Sequence, residues 1–438
     1  MKNKVVSMES EPPVQERHDE SGNRDGSPHG GLRRWARRVV ARQLTLISVV
    51  SLRVVCWLGR KRGLVSGGGY RILLTGRFDS NNWILNHLGP LSASQRCNRV
   101  WMVSTNPVPP LQKVEAIYPS RWLIRAMGKT PARLLTFLYV AIRKQPHIVG
   151  GFHIMVNGIT SVIVARMIGA RSMYFCVGGP AEIRDGGIHS DDSLLRDTGV
   201  PDPVVERRLL RVAAHSDTII TMGSKAVDFF CEKGIGVDCH VVSGGIDSRR
   251  FQPAKEPASY DLITTGRLVQ IKRIDVFLQA VKKVADRMPH VKAVIVGDGK
   301  LRDRLQSLSV DLGLSGNVFF AGHQDRVENW LCKSKIFVLT SDSEGLSLSM
   351  MEAMMCGLPA VVSEVGDLGD LVESGVNGFL VPRRSPALFA DRLVELLSDA
   401  QELKAFSWAA RRSAMRYETQ ATVRRWDHIL HLNGNGES

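Results

Sequence analysis

Two glutamates eight positions apart, Glu344 and Glu352, are the first candidates for chemistry in this chain. Both lie in the stretch SDSEGLSLSMMEAMMCGLPAVVSE, residues 341–364. Glu352 is surrounded by methionines and alanines, a pattern that predicts a helix buried on most of its sides. A carboxylate in such a place costs several kcal/mol unless it finds a partner or shifts its pKa. Glu352 therefore needs either a buried basic residue or a ligand with hydroxyl groups, and the vicinal hydroxyls of a ribose would suit it.

Glu344 stands at the start of the same predicted helix, beside a glycine. One interpretation is structural: Ser341 or Ser343 caps the helix, and the helix dipole favours a carboxylate at its N-terminus. The other is functional, because the backbone N–H groups of Gly345–Ser347 and the missing side chain at Gly345 suit a bound anion. The residues alone leave both interpretations open.

Two basic residues, Arg267 and Lys272, follow the predicted strand 261–265 in GRLVQIKR. An arginine fork and a lysine point charge at the carboxyl edge of a sheet suit a diphosphate. After the next strand, Gly297 in VGDGKLRDRL lets the backbone approach a ligand closely. Each of these signals is weak when taken alone, since such turns commonly only connect a strand to a helix.

The elements that must position these residues are short apolar runs that alternate with helical segments. The alternation predicts parallel sheets with helices on both faces, in two doubly wound α/β domains that face each other across a cleft. A breaker-rich stretch, 243–259, is interpreted as a hinge, so that the domains span 66–245 and 246–410. The predicted strands are RILLT, RVWMVS, HIVGG, SMYFCV, DTIIT and HVVS before the hinge, and YDLITTG, KAVIVG, NVFFAG, KIFVLTS and PAVVSE after it.

The net charge of +15 is concentrated in residues 32–65, which hold nine basic side chains and no acidic one. Between Gln43 and Gly59 this segment is apolar except for Arg53 and small hydroxyl residues, and it is shorter than the ~20 residues that span a bilayer. A basic, tryptophan-bearing amphipathic helix suits the interface of an anionic membrane, which it would meet through residues 32–62. The alternative is a helix that simply covers the first domain.

Composition excludes several other classes of protein. The seven cysteines are odd in number and form no CxxC pair, which suits a reducing cytosol and argues against disulfides or structural zinc. The acidic and histidine clusters at 189–192 and 342–344 lack metal-ligand spacing, so no metal is expected. Because the basic charge lies in one apolar segment and no recognition module is present, nucleic acid is not an expected partner. Residues 1–31 are polar and are predicted to be a disordered tail.

Taken together, the stretches after the hinge resemble the retaining GT-B glycosyltransferases of family 4, the glycosyl transferases group 1. The spacing of Glu344 and Glu352 in EGLSLSMMEAMMCGLPAVV resembles the family's Glu-x7-Glu signature, and GRLVQIKRID resembles its diphosphate clamp. The hinge segment VVSGGIDSRRFQP and the stretches VGDGKLRDRL, NVFFAGHQDRVENWL and VGDLGDLVESGVNGFLVP are also similar to family segments. The resemblance covers residues 240–420 well and residues 70–240 only in topology.

The resemblance implies a nucleotide-diphosphate sugar as donor substrate, a retaining reaction, and no metal or other cofactor. Arg267 and Lys272 would hold the diphosphate, Glu352 the ribose hydroxyls and Glu344 the transferred sugar. The implied catalytic residues are Glu344, Arg267 and Lys272. The implied donor-binding residues are Gly266, Arg267, Lys272, Gly297, Glu344, Gly345, Leu346, Ser347 and Glu352. In the resembled fold the C-terminal helix, here 411–438, crosses back to the first domain.

The first domain departs from the family pattern. Where the family often has His-Gly beside the transferred sugar, this chain has SMYFCVGGPAEI, with Cys176, Gly178 and Gly179. His153, after the preceding strand, could serve the acceptor side together with these glycines. Asp367 stands where a glycine is frequent, which would perturb the donor pocket modestly.

The expected function is that of a cytoplasmic glycosyltransferase, peripheral on the inner face of the membrane, that acts on a glycan or lipid-linked acceptor. Two alternatives remain open. A sugar-nucleotide epimerase or hydrolase on the same fold would convert or cleave the donor without an acceptor. A non-catalytic, membrane-associated protein that binds sugar nucleotides would account for the missing His-Gly.

Overall fold

The computed structural model describes residues 28–58 and 69–435, apart from residues 77, 79 and 191. The predicted tail therefore lies outside the described residues except for its last four, and so do Arg60, Lys61 and Arg62 of the predicted basic helix. Within the described part, thirteen strands form two parallel sheets, which confirms the predicted α/β architecture.

The first sheet has the strand order β3-β2-β1-β4-β5-β6-β7, in which the chain runs outward to one edge and then returns to the centre to build the other half. Every neighbouring pair is parallel. The strands are β1 Tyr70–Thr75, β2 Cys97–Val103, β3 Val114–Ile117, β4 Ile148–Phe152, β5 Arg171–Cys176, β6 Thr218–Thr221 and β7 Asp238–Val241.

The second sheet repeats this order as β10-β9-β8-β11-β12-β13, again with every pair parallel. Its strands are β8 Tyr260–Thr265, β9 Ala293–Val296, β10 Val318–Gly322, β11 Ser334–Leu339, β12 Ala360–Ser363 and β13 Gly378–Val381. In both sheets the order reverses at a central pair, β1/β4 and β8/β11, where a doubly wound sheet opens a crevice for ligands at the carboxyl ends.

Helices cover both faces of the two sheets. They are α1 Pro28–Leu58, α2 Asn81–Ala93, α3 Arg121–Met127, α4 Lys129–Lys144, α5 Ile159–Ile168, α6 Ser193–Arg196, α7 Pro203–Ala213, α8 Ser224–Glu232, α9 Ile274–Arg287, α10 Arg302–Asp311, α11 Glu328–Leu331, α12 Leu348–Met355, α13 Pro386–Ser398, α14 Ala400–Ala414 and α15 Thr419–Asn435. Because helices lie on both sides, central strands are buried on both faces and read as continuous apolar runs. All five residues of β4 and all four of β9 are buried.

The two strands that the sequence pattern did not predict, β3 and β13, are the outermost strands of their sheets. Each has four residues, and in β3 none of the four is buried. Strand β3 lacks the buried apolar run that marks a central strand. Three of the four residues of β13 are buried, but its apolar run, 379–381, is too short to stand out in the sequence.

Helix α1 runs unbroken from Pro28 to Leu58 and packs on α5 and α7 of the first domain. Its inward face is the stripe Ala41, Thr45, Val49 and Leu52, which is buried at helical spacing. The helix is longer than the apolar stretch that the sequence delimits. Gly31–Trp57 is 27 residues long and contains an 18-residue window with a mean hydropathy of 1.7, so it is long and apolar enough to cross a membrane by length and composition alone.

The C-terminal tract, predicted as helical, forms α13, α14 and α15. The last of these lies against α2 of the first domain. The side chain of Asp427 accepts hydrogen bonds from Ser94 Oγ at 2.6 Å and from the backbone of Gln95 at 3.0 Å, and Trp426 is buried in the core beside Phe175. The chain that leaves the second domain therefore ends on the first.

Candidate active site

Two residues singled out from separate motifs, Lys272 and Glu344, meet at the crevice of the second sheet. Lys272 lies in the turn after β8, and Glu344 lies in the loop after β11, the neighbouring strand. Lys272 Nζ is 2.5 Å from Glu344 Oε1, and Ser341 Oγ donates a hydrogen bond to the same oxygen at 2.5 Å. Both charged side chains are largely buried, with 16% and 11% of their surface exposed. Lys272 and Glu344 therefore form a largely buried ion pair at the edge of the sheet where a diphosphate site was predicted.

The turn that carries Lys272 is fixed by the loop after β11. Thr340 Oγ1 donates hydrogen bonds to the carbonyl oxygens of Lys272 and Arg273, at 3.2 and 2.8 Å. Arg273 has a left-handed backbone, with φ of 48°, and its guanidinium contacts both Asp275 and Asp342. A residue other than glycine adopts this conformation when its surroundings compensate for the strain. These contacts fix the backbone position of Lys272.

Close approach of backbone explains Gly297 at the end of β9, which faces Gly266 at the end of β8. Gly297 has φ of 144°, and a Cβ atom there would overlap the carbonyl of Gly266. Any side chain at Gly297 would push the two loops apart. Arg267, which follows Gly266 in the chain, has an exposed side chain at this edge of the sheet. Its diphosphate role stays a prediction.

The helix that follows Glu344 begins later than expected. Ser347 is the N-cap of α12, and its Oγ accepts a hydrogen bond from the backbone of Met350 at 3.5 Å. The prediction that Ser341 or Ser343 caps this helix is wrong, because Glu344 to Leu346 form an irregular loop before it. Glu344 is therefore not a capping carboxylate, and its observed partners are Lys272 and Ser341.

Glu352 is buried as its neighbours indicated, with 5% of its surface exposed. Asn86 Nδ2, on α2 of the first domain, donates a hydrogen bond to Glu352 Oε1 at 3.4 Å. Burial raises the pKa of Glu352 to about 7, against the opposing charge of Arg250. Arg250 itself joins the domains, since it contacts Asn82 of α2 at 3.0 Å and Glu328 of α11 at 2.8 Å. Glu352 thus lies at the junction of the two domains, where the ribose role stays a prediction.

Asp367 also reaches across to the first domain. Its Oδ1 accepts a hydrogen bond from the backbone of Lys225 at 2.8 Å, and Asp370 accepts hydrogen bonds from the backbone and the hydroxyl of Ser224, both at 2.6 Å. These two carboxylates occupy the N-terminus of α8, which has no side-chain cap of its own. Burial raises the pKa of Asp367 to about 6. A glycine at 367 could not make this contact between the domains.

The acceptor-side residues His153, Gly178 and Gly179 gather at the carboxyl ends of β4 and β5. A residue that the sequence analysis did not select, Glu182, connects two of them. His153 Nδ1 is 2.9 Å from Glu182 Oε1, and the backbone N–H of Gly178 donates to the same oxygen at 2.6 Å. Gly179 faces the second domain, where a Cβ atom would lie 3.7 Å from the Asp367 carboxylate.

Three residues that contact the candidate site residues were not selected from the sequence: Glu182, Asn86 and Arg250. Glu182 was visible as an acid three residues after a Gly-Gly pair, and Arg250 as a basic residue in the hinge segment. Neither feature distinguishes a buried partner from a solvated loop residue. Asn86 carries no motif signal.

In the described ranges, no group of three or more histidine, cysteine or acidic side chains is close enough together to hold a metal ion. Asp191, part of one cluster weighed from the sequence, lies outside the described residues. The expectation that no metal takes part stays a prediction.

The fold is shared with solved structures. The structure of Anabaena Alr3699/HepE in complex with UDP-glucose superimposes with a TM-score of 0.66 and 16% identity, over 83% of this chain and 100% of that one. Two doubly wound parallel sheets facing each other define the GT-B class, and the chain has that fold.

The second domain can be assigned further. Residues 259–399 match the family Glycosyl transferases group 1, and the chain therefore carries a domain of this kind. A D-inositol 3-phosphate glycosyltransferase of Streptomyces bingchenggensis is 31% identical over 40% of this chain and 44% of its own length. A UDP-Gal:alpha-D-GlcNAc-diphosphoundecaprenol alpha-1,3-galactosyltransferase of Escherichia coli is 28% identical over 60% of this chain and 70% of its own. The chain thus spans less than half the length of the first of these relatives.

Proposed function

We propose that this protein is a glycosyltransferase that moves a sugar from a nucleotide-diphosphate sugar to a glycan or lipid-linked acceptor. The observation that carries the proposal is the ion pair of Lys272 and Glu344 at the crevice of a group 1 domain. A buried pair at the carboxyl edge of a doubly wound sheet lies where such folds bind nucleotides.

The chemistry follows from the charges. When the diphosphate leaves the sugar, negative charge builds on its oxygens, and fixed cations stabilise it. Lys272 and Arg267 supply that charge, Glu344 contacts the transferred sugar, and Glu352 accepts hydrogen bonds from the ribose. We infer that no metal is required, because two cations and the N-terminus of α12 can neutralise a departing diphosphate. Retention at the anomeric carbon is inferred from the Glu-x7-Glu resemblance.

Membrane association at the inner face is part of the proposal, and its support is the outward face of α1. Large apolar side chains there are exposed, among them Trp35, Ile47, Val50 and Trp57 at 63%, 58%, 50% and 84%. Three partly exposed arginines of the same helix contact acidic residues of the first domain and bind the helix to it. Arg37 contacts Asp197, and Arg38 and Arg42 contact Asp202. A helix with one docked face and one apolar face suits the membrane interface better than a free span.

Donor binding is tested by thermal shift with UDP, GDP, ADP and their glucose derivatives. At least one nucleotide is expected to stabilise the wild type, and substitution of Glu352 by alanine to reduce that shift. A wild type that no nucleotide stabilises would refute the donor site.

Turnover separates the open alternatives. With donor and a GlcNAc-diphospho-lipid as acceptor probe, Glu344→Ala is expected to abolish transfer and to keep its fold. Conversion or cleavage of the donor at full rate without acceptor would favour the epimerase or hydrolase. A protein that binds nucleotide but turns over no donor, with water or with acceptor, would favour the non-catalytic alternative. The anomeric configuration of the product, read by NMR, tests retention.

Membrane binding is tested without disturbing the docked face of α1. Ile47→Ser and Val50→Ser change only exposed positions, and together they are expected to reduce sedimentation with vesicles that contain phosphatidylglycerol. Unchanged sedimentation would remove the membrane from the proposal.

A further inference from the structure

One buried carboxylate organises the acceptor side of the cleft. Glu182 has 3% of its side chain exposed, and four groups converge on it. His153 Nδ1 and the backbone N–H of Gly178 meet Oε1, at 2.9 and 2.6 Å. The backbone N–H of Ile154 and the hydroxyl of Tyr174 donate to Oε2, each at 2.7 Å. Burial opposes ionisation, but His153 and the hydrogen bonds hold the pKa of Glu182 below its ordinary value.

The backbone at His153 is strained in a way that serves this contact. His153 has φ of 64° and Val156 has φ of 65°, both in the left-handed region. That region is unfavourable for a β-branched valine in particular. Strain of this kind, of order 1–3 kcal/mol per residue, persists where the surroundings enforce it and is common at functional sites. Here it turns the chain at the end of β4 so that the imidazole meets Glu182.

The pair lies next to the donor side of the cleft. The N–H of Gly178 belongs to the peptide whose carbonyl is that of Val177, and a Cβ atom at Gly345 would lie only 2.9 Å from that carbonyl oxygen. Gly345 directly follows Glu344. One short path thus connects Glu182, Gly178 and the loop proposed to contact the transferred sugar.

We propose that Glu182 is a positioning residue that orients His153 to bind a hydroxyl group of the acceptor. This proposal rests on the proposed function. A carboxylate at Nδ1 holds the imidazole proton there, so that in the neutral ring Nε2 is the hydrogen-bond acceptor. A third of the His153 side chain, 34%, is accessible. Nε2 therefore receives the hydrogen of an acceptor hydroxyl, on the side of the cleft opposite the donor-binding domain.

A purely structural role for Glu182 makes different predictions, because three of its four partners could hold β4 and β5 together without the imidazole. Tyr174→Phe is the matched control: it removes one hydrogen bond to Oε2 and leaves the contact between Oε1 and His153. If Glu182 only held the two strands together, Tyr174→Phe and Glu182→Gln would weaken the protein to a similar extent. A positioning residue would respond to Glu182→Gln far more strongly.

The first test is spectroscopic and needs no substrate. Long-range ¹H–¹⁵N correlation of the histidine-labelled full-length chain reports which nitrogen carries the proton, and His153→Gln assigns the signal. His153 is expected as the Nδ1–H tautomer in the wild type and in Tyr174→Phe, and as a mixture in Glu182→Gln. The Nε2–H tautomer in the wild type would overturn the proposal. So would a wild-type tautomer that persists in a folded Glu182→Gln.

The second test separates acceptor from donor. With a GlcNAc-diphospho-lipid as probe, Glu182→Gln is expected to raise the acceptor KM about tenfold, as the loss of one hydrogen bond does, while the KM for donor changes less than twofold. Glu182→Asp keeps the charge and is expected to recover part of the effect; it also serves if Glu182→Gln does not fold. An equal rise of the acceptor KM in Tyr174→Phe and Glu182→Gln would show that Glu182 only holds the two strands together. Failure of the wild type to bind any nucleotide would instead refute the proposed function.

Discussion

Replacing Glu352 by glutamine should make the protein more stable at alkaline pH and at the same time weaken nucleotide binding. In the folded protein, burial raises the pKa of this carboxyl group from 4.5 to about 7. The hydrogen bond from Asn86 is long, at 3.4 Å, and together with the charge of Arg250 it offsets only part of the burial.

The size and sign of the stability effect follow from that pKa. A carboxyl group whose folded pKa lies above its unfolded pKa stabilises the folded state fully below pH 4.5 and loses this contribution as the pH rises through 7. Each pKa unit corresponds to about 1.4 kcal/mol, so the ionised Glu352 costs the folded state about 3 kcal/mol above pH 7. Glutamine does not titrate. The difference in unfolding free energy between Glu352→Gln and wild type should therefore be small at pH 5 and approach about 3 kcal/mol at pH 8.

Urea unfolding at a series of pH values measures this difference. Glu395→Gln is the control, because Glu395 is exposed on α13, and its substitution should change stability by less than about 0.5 kcal/mol at every pH. A Glu352→Gln protein that is less stable than wild type at pH 8, or a difference that does not depend on pH, would refute the reasoning.

The same variant tests the ribose assignment. A hydrogen bond to a charged group contributes about 1.5–3 kcal/mol, so loss of the carboxylate should weaken UDP binding roughly 10- to 100-fold at pH 8. Calorimetric titration of UDP measures this. Unchanged affinity would show that Glu352 is buried for a structural reason and leaves the ribose to other groups.

Three further predictions concern charged contacts. Lys272→Met leaves the largely buried Glu344 without its cation and should lower the unfolding free energy in urea by about 3 kcal/mol. Adding Glu344→Gln to this variant should recover most of that stability. Losses that simply add in the double variant would argue against the ion pair. Burial alone would raise the pKa of Asp202, but hydrogen bonds from the arginines of α1 lower it to about 2. Asp202→Asn should therefore speed tryptic cleavage of α1 severalfold, whereas Asp399→Asn, which changes a helix cap without arginine partners, should not. Asp367→Asn should stabilise the protein by about 3 kcal/mol at pH 8 and by little at pH 4, because the raised pKa of Asp367 means that its ionisation costs stability as pH rises. A variant less stable than wild type at pH 8 would show that the charge itself holds the domains together.

Local sequence was enough to predict the central part of the fold. The apolar runs of β4 and β9 read as buried strands because both of their faces are covered, and the predicted strands before and after the hinge all lie in the two sheets. Strand β3 escaped prediction because none of its residues is buried, and β13 because its apolar run, 379–381, is short. The start of α12 was misplaced because several serines in 341–349 could each cap a helix, and packing decides among them.

What the sequence alone determined is that Glu352 carries a carboxyl group into apolar surroundings, since its own neighbours require its burial. What only the tertiary structure decided is the partner of each charge. Lys272 and Glu344 are 72 positions apart, His153 and Glu182 are 29 apart, and Asp367 meets a helix 142 positions away. The physical reason is that local patterns determine burial, whereas a partner is set by which strand ends become neighbours when the sheets form and the domains meet.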